Sequence, residues 1–229
     1  MRYFDLVCFD VDGTLVRHPT NKVIWEVLNQ RFTGSDAINR ERHRMFRNGE
    51  ITYVRWVELD VSGWIAAHAT HDQVVEVVRE FEVCDGAWEM MHTLKREGCL
   101  MALVSGTLNV VIETLFPDHP FDDVYSNGLE FDAEGRLCGW RATPFDLDGK
   151  PDALRELSAR HRVPLDRIAF VGDGENDVPV VGVAGRVVAF NPRSTELENR
   201  ADHVVRNASM LEVLPFLRGT NTHDDQEGV

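Results

Sequence analysis

Five short apolar runs, Leu6 to Phe9, Leu100 to Val104, Ile168 to Val171, Val187 to Phe190 and His203 to Val205, most constrain what this chain can become. Each is followed by a Gly, Ser or Asp cluster and then by helical spacing, the pattern of βα units and a parallel sheet. The strong runs lack the polar alternation of a half-exposed strand, so helices should cover both faces. A weaker strand candidate lies at Asp123 to Tyr125. From Leu129 to Trp140, Asp132-Ala133-Glu134-Gly135 between apolar stretches predicts a β-hairpin. The expected fold is α/β, a Rossmann-like parallel sheet core with helices on both faces.

Between the first and second runs, Arg17 to Val83 reads as helix throughout with no strand, which predicts an inserted α-helical domain over 17–83 and a core made of 1–16 and 84–217. Thr70 and Gln73 form a capping-box pattern, and Val74, Val75, Val78 and Phe81 then share a helix face. Trp25, Trp56 and Trp64 fall in this insertion, either as the core of a helical bundle or as the lining of a substrate pocket. The polar, aperiodic tail from 218 to 229 is expected to be disordered.

Acidic residues outnumber basic ones 38 to 24, a net charge of −14. That balance opposes binding to nucleic acid or anionic membranes and favours a small-molecule substrate. No apolar run reaches the ~18 residues of a membrane span, and Arg2, Asp5 and Asp10 interrupt any signal-peptide pattern, so a cytoplasmic protein is expected. Cys8, Cys84, Cys99 and Cys138 are too scattered for a zinc site or a disulfide framework. His68 and His71, three apart, lie away from every other candidate ligand and read as surface residues.

The chemistry concentrates where strands end. Asp10-Val11-Asp12-Gly13-Thr14 puts two carboxylates at the C-terminal end of the first strand, the edge where open α/β sheets bind ligands. Taken alone it is moderately specific, the alternative being the Asx-rich turn that ends many strands. Gly172-Asp173-Gly174-Glu175-Asn176-Asp177 adds a second acidic cluster at the same edge. Asp10, Asp12, Asp173 and Asp177 would repel unless a cation bound among them, and oxygen ligands with room for water suit Mg²⁺. Asp177 also precedes Val178-Pro179, which makes it a natural helix N-cap as well as a residue supporting the metal ligands. Ser105-Gly106-Thr107 ends the second strand just before a helix, where phosphate oxygens can be held. Lys150 opens a helix, a position the macrodipole disfavours for a cation unless anions lie close.

Together, in order, Asp10-Val11-Asp12-Gly13-Thr14, Ser105-Gly106-Thr107, Lys150 and Gly172-Asp173-Gly174-Glu175-Asn176-Asp177 resemble the four motifs of the haloacid dehalogenase superfamily. The helical insertion then resembles the cap of its phosphoserine phosphatase-like branch. The resemblance implies a Mg²⁺-dependent phosphatase acting on a small phosphorylated metabolite, with Asp10 as nucleophile and Asp12 as general acid and then base. It implies Mg²⁺ ligation by Asp10, the Asp12 carbonyl and Asp173, and phosphate binding by Ser105, Gly106, Lys150 and Asn176. In that branch a cap Glu and a cap Arg hold the amine and carboxylate of phosphoserine. Here Pro19 and Glu58 stand near those places, so phosphoserine selectivity is not expected, and Tyr53, Trp56 and Glu58 become the candidate specificity contacts. The alternatives are a phosphotransferase or phosphomutase on the same fold and a non-catalytic phospho-ligand binding module. The module is disfavoured because every group the chemistry needs is present.

Overall fold

In chain order the elements are β1 (Leu6–Phe9), β2 (Val16–Arg17), α1 (Ile24–Thr33), α2 (Ala37–Arg47), α3 (Tyr53–Ala66), α4 (His71–Val78) and β3 (Glu82–Val83). They continue with α5 (Ala87–Arg96), β4 (Leu100–Leu108), α6 (Asn109–Leu115), β5 (Asp123–Phe131), β6 (Leu137–Arg141), α7 (Lys150–His161), β7 (Ile168–Gly172), β8 (Arg186–Phe190), α8 (Thr195–Arg200) and β9 (His203–Val205). This computed structural model describes residues 4–206 and 209–218. Residues 219–229, nearly all of the tail expected to be disordered, lie outside the described residues.

Among the described residues one seven-stranded sheet runs in the order β6-β5-β4-β1-β7-β8-β9. All neighbours pair parallel except β5 with β6, which form the antiparallel hairpin that Asp132-Ala133-Glu134-Gly135 predicts. Gly135 takes the positive φ of 76° that closes this turn. The weak strand at Asp123 to Tyr125 is in fact nine residues long, because it pairs with β4 as far as Asn127 and then with β6 from Gly128 to Phe131.

Strand β1 is buried along its whole length. Its period-2 alternation sends Val7 and Phe9 into one apolar cluster, shared with Leu28 and Trp64 of the inserted helices, and Leu6 and Cys8 into a second, shared with Leu154 and Phe170. Both faces are therefore covered, which is why the run shows no polar alternation.

Within the inserted segment the sequence suggests no strand, yet β2 and β3 pair antiparallel through Val16 with Val83 and Arg17 with Glu82. Two residues each are too few for a periodicity to register, and they pin together the points where the segment leaves and rejoins the sheet. The capping box at α4 is real: the Thr70 hydroxyl accepts from the Gln73 N–H at 3.4 Å and Gln73 accepts from the Thr70 N–H at 3.1 Å. Its buried face is Val74, Val77 and Val78, with Val75 only half-buried. A buried polar network locks α1, α2 and α3 together: Asn29 donates to Asp60 at 2.9 Å, the Trp64 indole donates to Asn29 at 2.9 Å, and Arg42 pairs with Asp60. No helix among the described residues is long and apolar enough to cross a membrane.

Candidate active site

Strand β1 lies between β4 and β7, so successive crossovers leave it in opposite directions and open a crevice beyond its C-terminal end. Asp10 is the first residue past that end, fixed by its N–H donating to the Val171 carbonyl at 2.9 Å. Lys150, fully buried at the start of α7, donates to Asp10 Oδ1 at 2.9 Å and to Asp177 Oδ1 at 2.6 Å. Burial alone would lower this ammonium's pKa, but the carboxylates of Asp10, Asp177 and Asp146 outweigh it and raise the value. The same anions answer the unfavourable helix-start position. Lys150 does not line the cavity; it reaches the site from beneath, through Asp10.

Asp177 is not the N-cap that Pro179 suggests. A 3₁₀ turn spans Glu175–Val180, with Gly174, three residues before Asp177, at its cap. Asp177 reaches back so that its Oδ2 accepts from the Asp173 and Gly174 N–H groups, each at 2.8 Å, while Oδ1 takes Lys150. Both of its oxygens are thereby engaged.

Asp12 is buried, and its Oδ1 accepts from the Ile24 N–H at 3.4 Å. Burial, then the charge of Asp10, lift its pKa to about 6 against the pull of Thr107, the Ile24 amide and Arg193. Asp173 accepts from the Thr14 hydroxyl at 3.1 Å and is ion-paired with Arg193. Burial raises its pKa, with Arg193 opposing and Asp10 and Asp177 adding to the rise. Gly13, at φ 96°, passes so close to the Asp173 carboxylate and the Arg193 guanidinium that a Cβ there would overlap both.

Asp10, Asp173 and Asp177 each offer a buried carboxylate oxygen within 4.8 Å of one another. Asp177 is engaged by Lys150 and two buried amides, so with the Arg193 side chain turned aside the oxygens that could hold a metal are those of Asp10, Asp173 and the Asp12 backbone carbonyl. An all-oxygen set of this kind fits a hard divalent cation. Arg193 shows that two of these groups converge on one positive centre, since its guanidinium bonds to Asp173 and, at 3.0 Å, to the Asp12 carbonyl.

Above the acids opens a cavity of about 810 Å³. Asp10, Asp12, Ser105, Gly106 and Asn176 line it from the sheet edge, and Trp25, Arg40, His43, Arg47, Tyr53 and Trp56 from the inserted helices. The sequence suggests a strand ending at Val104, but β4 continues through Ser105-Gly106-Thr107 to Leu108, with its pairing register shifting between Val104 and Leu108. The Thr107 N–H donates to Ser105 Oγ at 3.1 Å. Two groups clamp the Gly106 carbonyl: the Trp25 indole at 2.8 Å and the Asn127 amide at 2.7 Å. Asn127 also donates to the Tyr53 hydroxyl at 2.8 Å, tying α3 to the sheet.

Tyr53 and Trp56 reach the cavity; Glu58 does not. On α3 the cavity face is Tyr53, Trp56, Val57 and Asp60, the i, i+3, i+4, i+7 stripe, and at 100° per residue Glu58 falls outside it. Glu58 pairs instead with Arg55 at 2.7 Å. Of the three tryptophans, Trp64 is fully buried while Trp25 and Trp56 line the cavity, so both readings of the group apply, to different members. His68 and His71 are exposed and away from the cavity.

Sequence reasoning missed Arg193, Asp146, Asn127 and the α2 residues. Arg193 was findable, because it lies just past β8 on the edge where every parallel strand delivers a loop to the site. Asp146, whose carboxylate stacks against Gly106 and accepts from Asn176 at 3.2 Å, sits four residues before Lys150 in a loop with no distinguishing pattern.

Residues 7–181 match the model of the haloacid dehalogenase-like hydrolases. The chain is 33% identical to phosphoserine phosphatase SerB2 of Mycobacterium tuberculosis over 93% of its own length, though it spans only 50% of that relative. It is 27% identical to the phosphoserine phosphatase of Lactococcus lactis, covering 93% of this chain and 94% of that one. A solved phospho-aspartyl intermediate analogue of phosphoserine phosphatase superposes with a TM-score of 0.74 at 22% identity, covering 94% of this chain and 99% of the other. The fold and the family agree: this chain belongs to the haloacid dehalogenase-like hydrolases.

Proposed function

We propose that this protein is a Mg²⁺-dependent phosphomonoesterase that acts on a small phosphorylated metabolite through an aspartyl-phosphate on Asp10. The observation that carries this is the pairing of Asp10, held by Lys150, with a second buried carboxylate, Asp12, whose pKa of about 6 lets it give and take a proton near neutrality. An Asp10 oxygen attacks phosphorus as the ester P–O bond breaks, and Asp12 protonates the departing oxygen. Asp12, now ionised, takes a proton from water as that water attacks the aspartyl-phosphate, releasing phosphate and restoring Asp10. Mg²⁺ held by Asp10, the Asp12 carbonyl and Asp173 would neutralise charge on the transferring group. Ser105, the Gly106 amide and Asn176 bind the phosphate, with Lys150 fixing Asp10 from below.

The leaving group is read by the inserted helices. A volume of about 810 Å³ is of the size that encloses drug-like ligands, ~300–1,000 Å³, and exceeds what phosphoserine requires. Its two arginines from α2 are already matched, Arg40 by Asp36 at 3.4 Å and Arg47 by Glu175 at 3.3 Å, so a substrate carboxylate reaching for them would have to displace an ion pair. Trp25, Tyr53 and Trp56 offer aromatic faces instead, which favours an aromatic or extended leaving group over phosphoserine. Phosphate release from a panel of phosphomonoesters tests this: aryl phosphates should exceed phosphoserine in kcat/KM, and phosphoserine at the top of the panel would overturn the selectivity.

A further inference from the structure

Arg193 lies on the loop from β8 to α8, and its backbone is anchored by the Arg193 N–H donating to the Asp173 carbonyl at 2.8 Å. From there Nε donates to the Asp173 carboxylate and Nη2 to the Asp12 carbonyl at 3.0 Å. Those are two of the three groups assigned above to the divalent cation. A guanidinium bonded to both and a divalent ion bonded to both would bring two cations into contact, so the two arrangements exclude one another. Room for an exchange exists. Arg193 lines the main cavity and also a second one of about 640 Å³ beside Gly13, Arg17 and Asn191, and 41% of its side chain is exposed. The main-chain anchor means that only the side chain has to turn.

We propose that Arg193 is a resident competitor for the cation site: binding of the divalent ion expels its guanidinium from Asp12 and Asp173 toward the cavity rim, and this exchange sets the chain's metal affinity. The inference rests on the ligand set proposed above and adds a determinant that the ligands alone do not supply. With the guanidinium in place, the buried acids are held by fixed hydrogen bonds; with the ion in place, Arg193 is free beside the phosphate groups. Losing the competitor therefore strengthens metal binding, whereas losing an ordinary supporting residue would weaken it.

The test is calorimetric titration of Mg²⁺ into the full chain, comparing wild type, Arg193→Ala and Arg193→Lys, with thermal unfolding in chelator alongside. Arg193→Ala should bind Mg²⁺ roughly tenfold or more tightly, the scale of one charge-assisted hydrogen bond, and Arg193→Lys should fall between. In chelator Arg193→Ala should melt below wild type, and Mg²⁺ should raise its Tm by more. Unchanged or weaker Mg²⁺ binding by Arg193→Ala would overturn the proposal. Should that variant not fold, the Arg193 Nε–H resonance of the wild-type protein decides: it should move on Mg²⁺ saturation, and an unmoved resonance rejects the exchange. Asp173→Asn separates the two levels, because wild-type Mg²⁺ affinity in that variant would reject the ligand set itself.

Discussion

The indole N–H of Trp25 donates to the carbonyl of Gly106 at 2.8 Å, joining an inserted helix to the residue whose own N–H is expected to receive phosphate. Because Asn127 shares the same acceptor, the Gly106 peptide is held from two sides. The inserted helices and the proposed phosphate-binding loop are thus linked through one carbonyl.

Trp25→Phe keeps most of the aromatic surface and removes that donor. A neutral hydrogen bond is worth about 1 kcal/mol, so kcat/KM for an aryl phosphate should fall about fivefold with the fold intact by circular dichroism. An unchanged value would show that Asn127 suffices alone.

Lys150→Met strips the counter-charge from Asp10 and Asp177 inside the protein. Breaking a buried pair from one side costs about 3–5 kcal/mol, so denaturant unfolding should report a loss of that size together with loss of turnover. A loss under about 1 kcal/mol would mean that the two carboxylates are neutralised by protons rather than by Lys150.

Stability in chelator should depend on pH through the same acids. Burial raises the pKa of Asp12 to about 6 and raises those of Asp173 and Asp177, so the folded state holds their protons more tightly than the unfolded chain. Their contribution is present below the ordinary carboxylate range and is lost as pH rises through about 6 to about 7. His203, lowered by burial and then by Arg186, acts in the opposite sense, one group against these three and Asp60, whose pKa burial also raises. The Tm should therefore fall between about pH 5 and pH 8 in chelator, and Mg²⁺ should flatten the slope. A Tm that climbs across that interval would contradict the assignment.

Asp60→Ala removes the acceptor shared by Asn29 and Arg42 between three inserted helices. It should cost about 2–4 kcal/mol, because a buried amide and a guanidinium lose their partner. Asp60→Asn, which retains one acceptor for Asn29, should cost less; equal losses would locate the stabilisation in charge alone.

How far the sequence revealed this arrangement depends on the length scale of each signal. The strands were legible because burial on both faces leaves uninterrupted apolar runs, and Asp10, Asp12, Ser105 and Asp173 because each lies one to three residues past the end of such a run. Lys150 was legible because a cation at a helix start is electrostatically anomalous. The two-residue strands Val16–Arg17 and Glu82–Val83 were not, since no periodicity fits in two positions. Glu58 lies off the cavity because the stripe Tyr53, Trp56, Asp60 sets which side of α3 faces inward, a register that nearness to a family position does not carry. Asn127 acts on Gly106 from 21 residues away, a relation that local spacing cannot carry; the place of Arg193 past a strand end was legible, but its bond to Asp12, 181 residues away, was not.

The covalent step is tested most directly by acid-quenching the enzyme during turnover of an aryl phosphate with Mg²⁺ and locating phosphate on the chain by mass spectrometry. The Asp12→Asn variant, slowed in hydrolysing the intermediate, should accumulate label on the peptide holding Asp10 that hydroxylamine releases, and Asp10→Asn should carry none and turn over negligibly. Label on another residue, or near wild-type turnover by Asp10→Asn, would contradict an aspartyl-phosphate at Asp10.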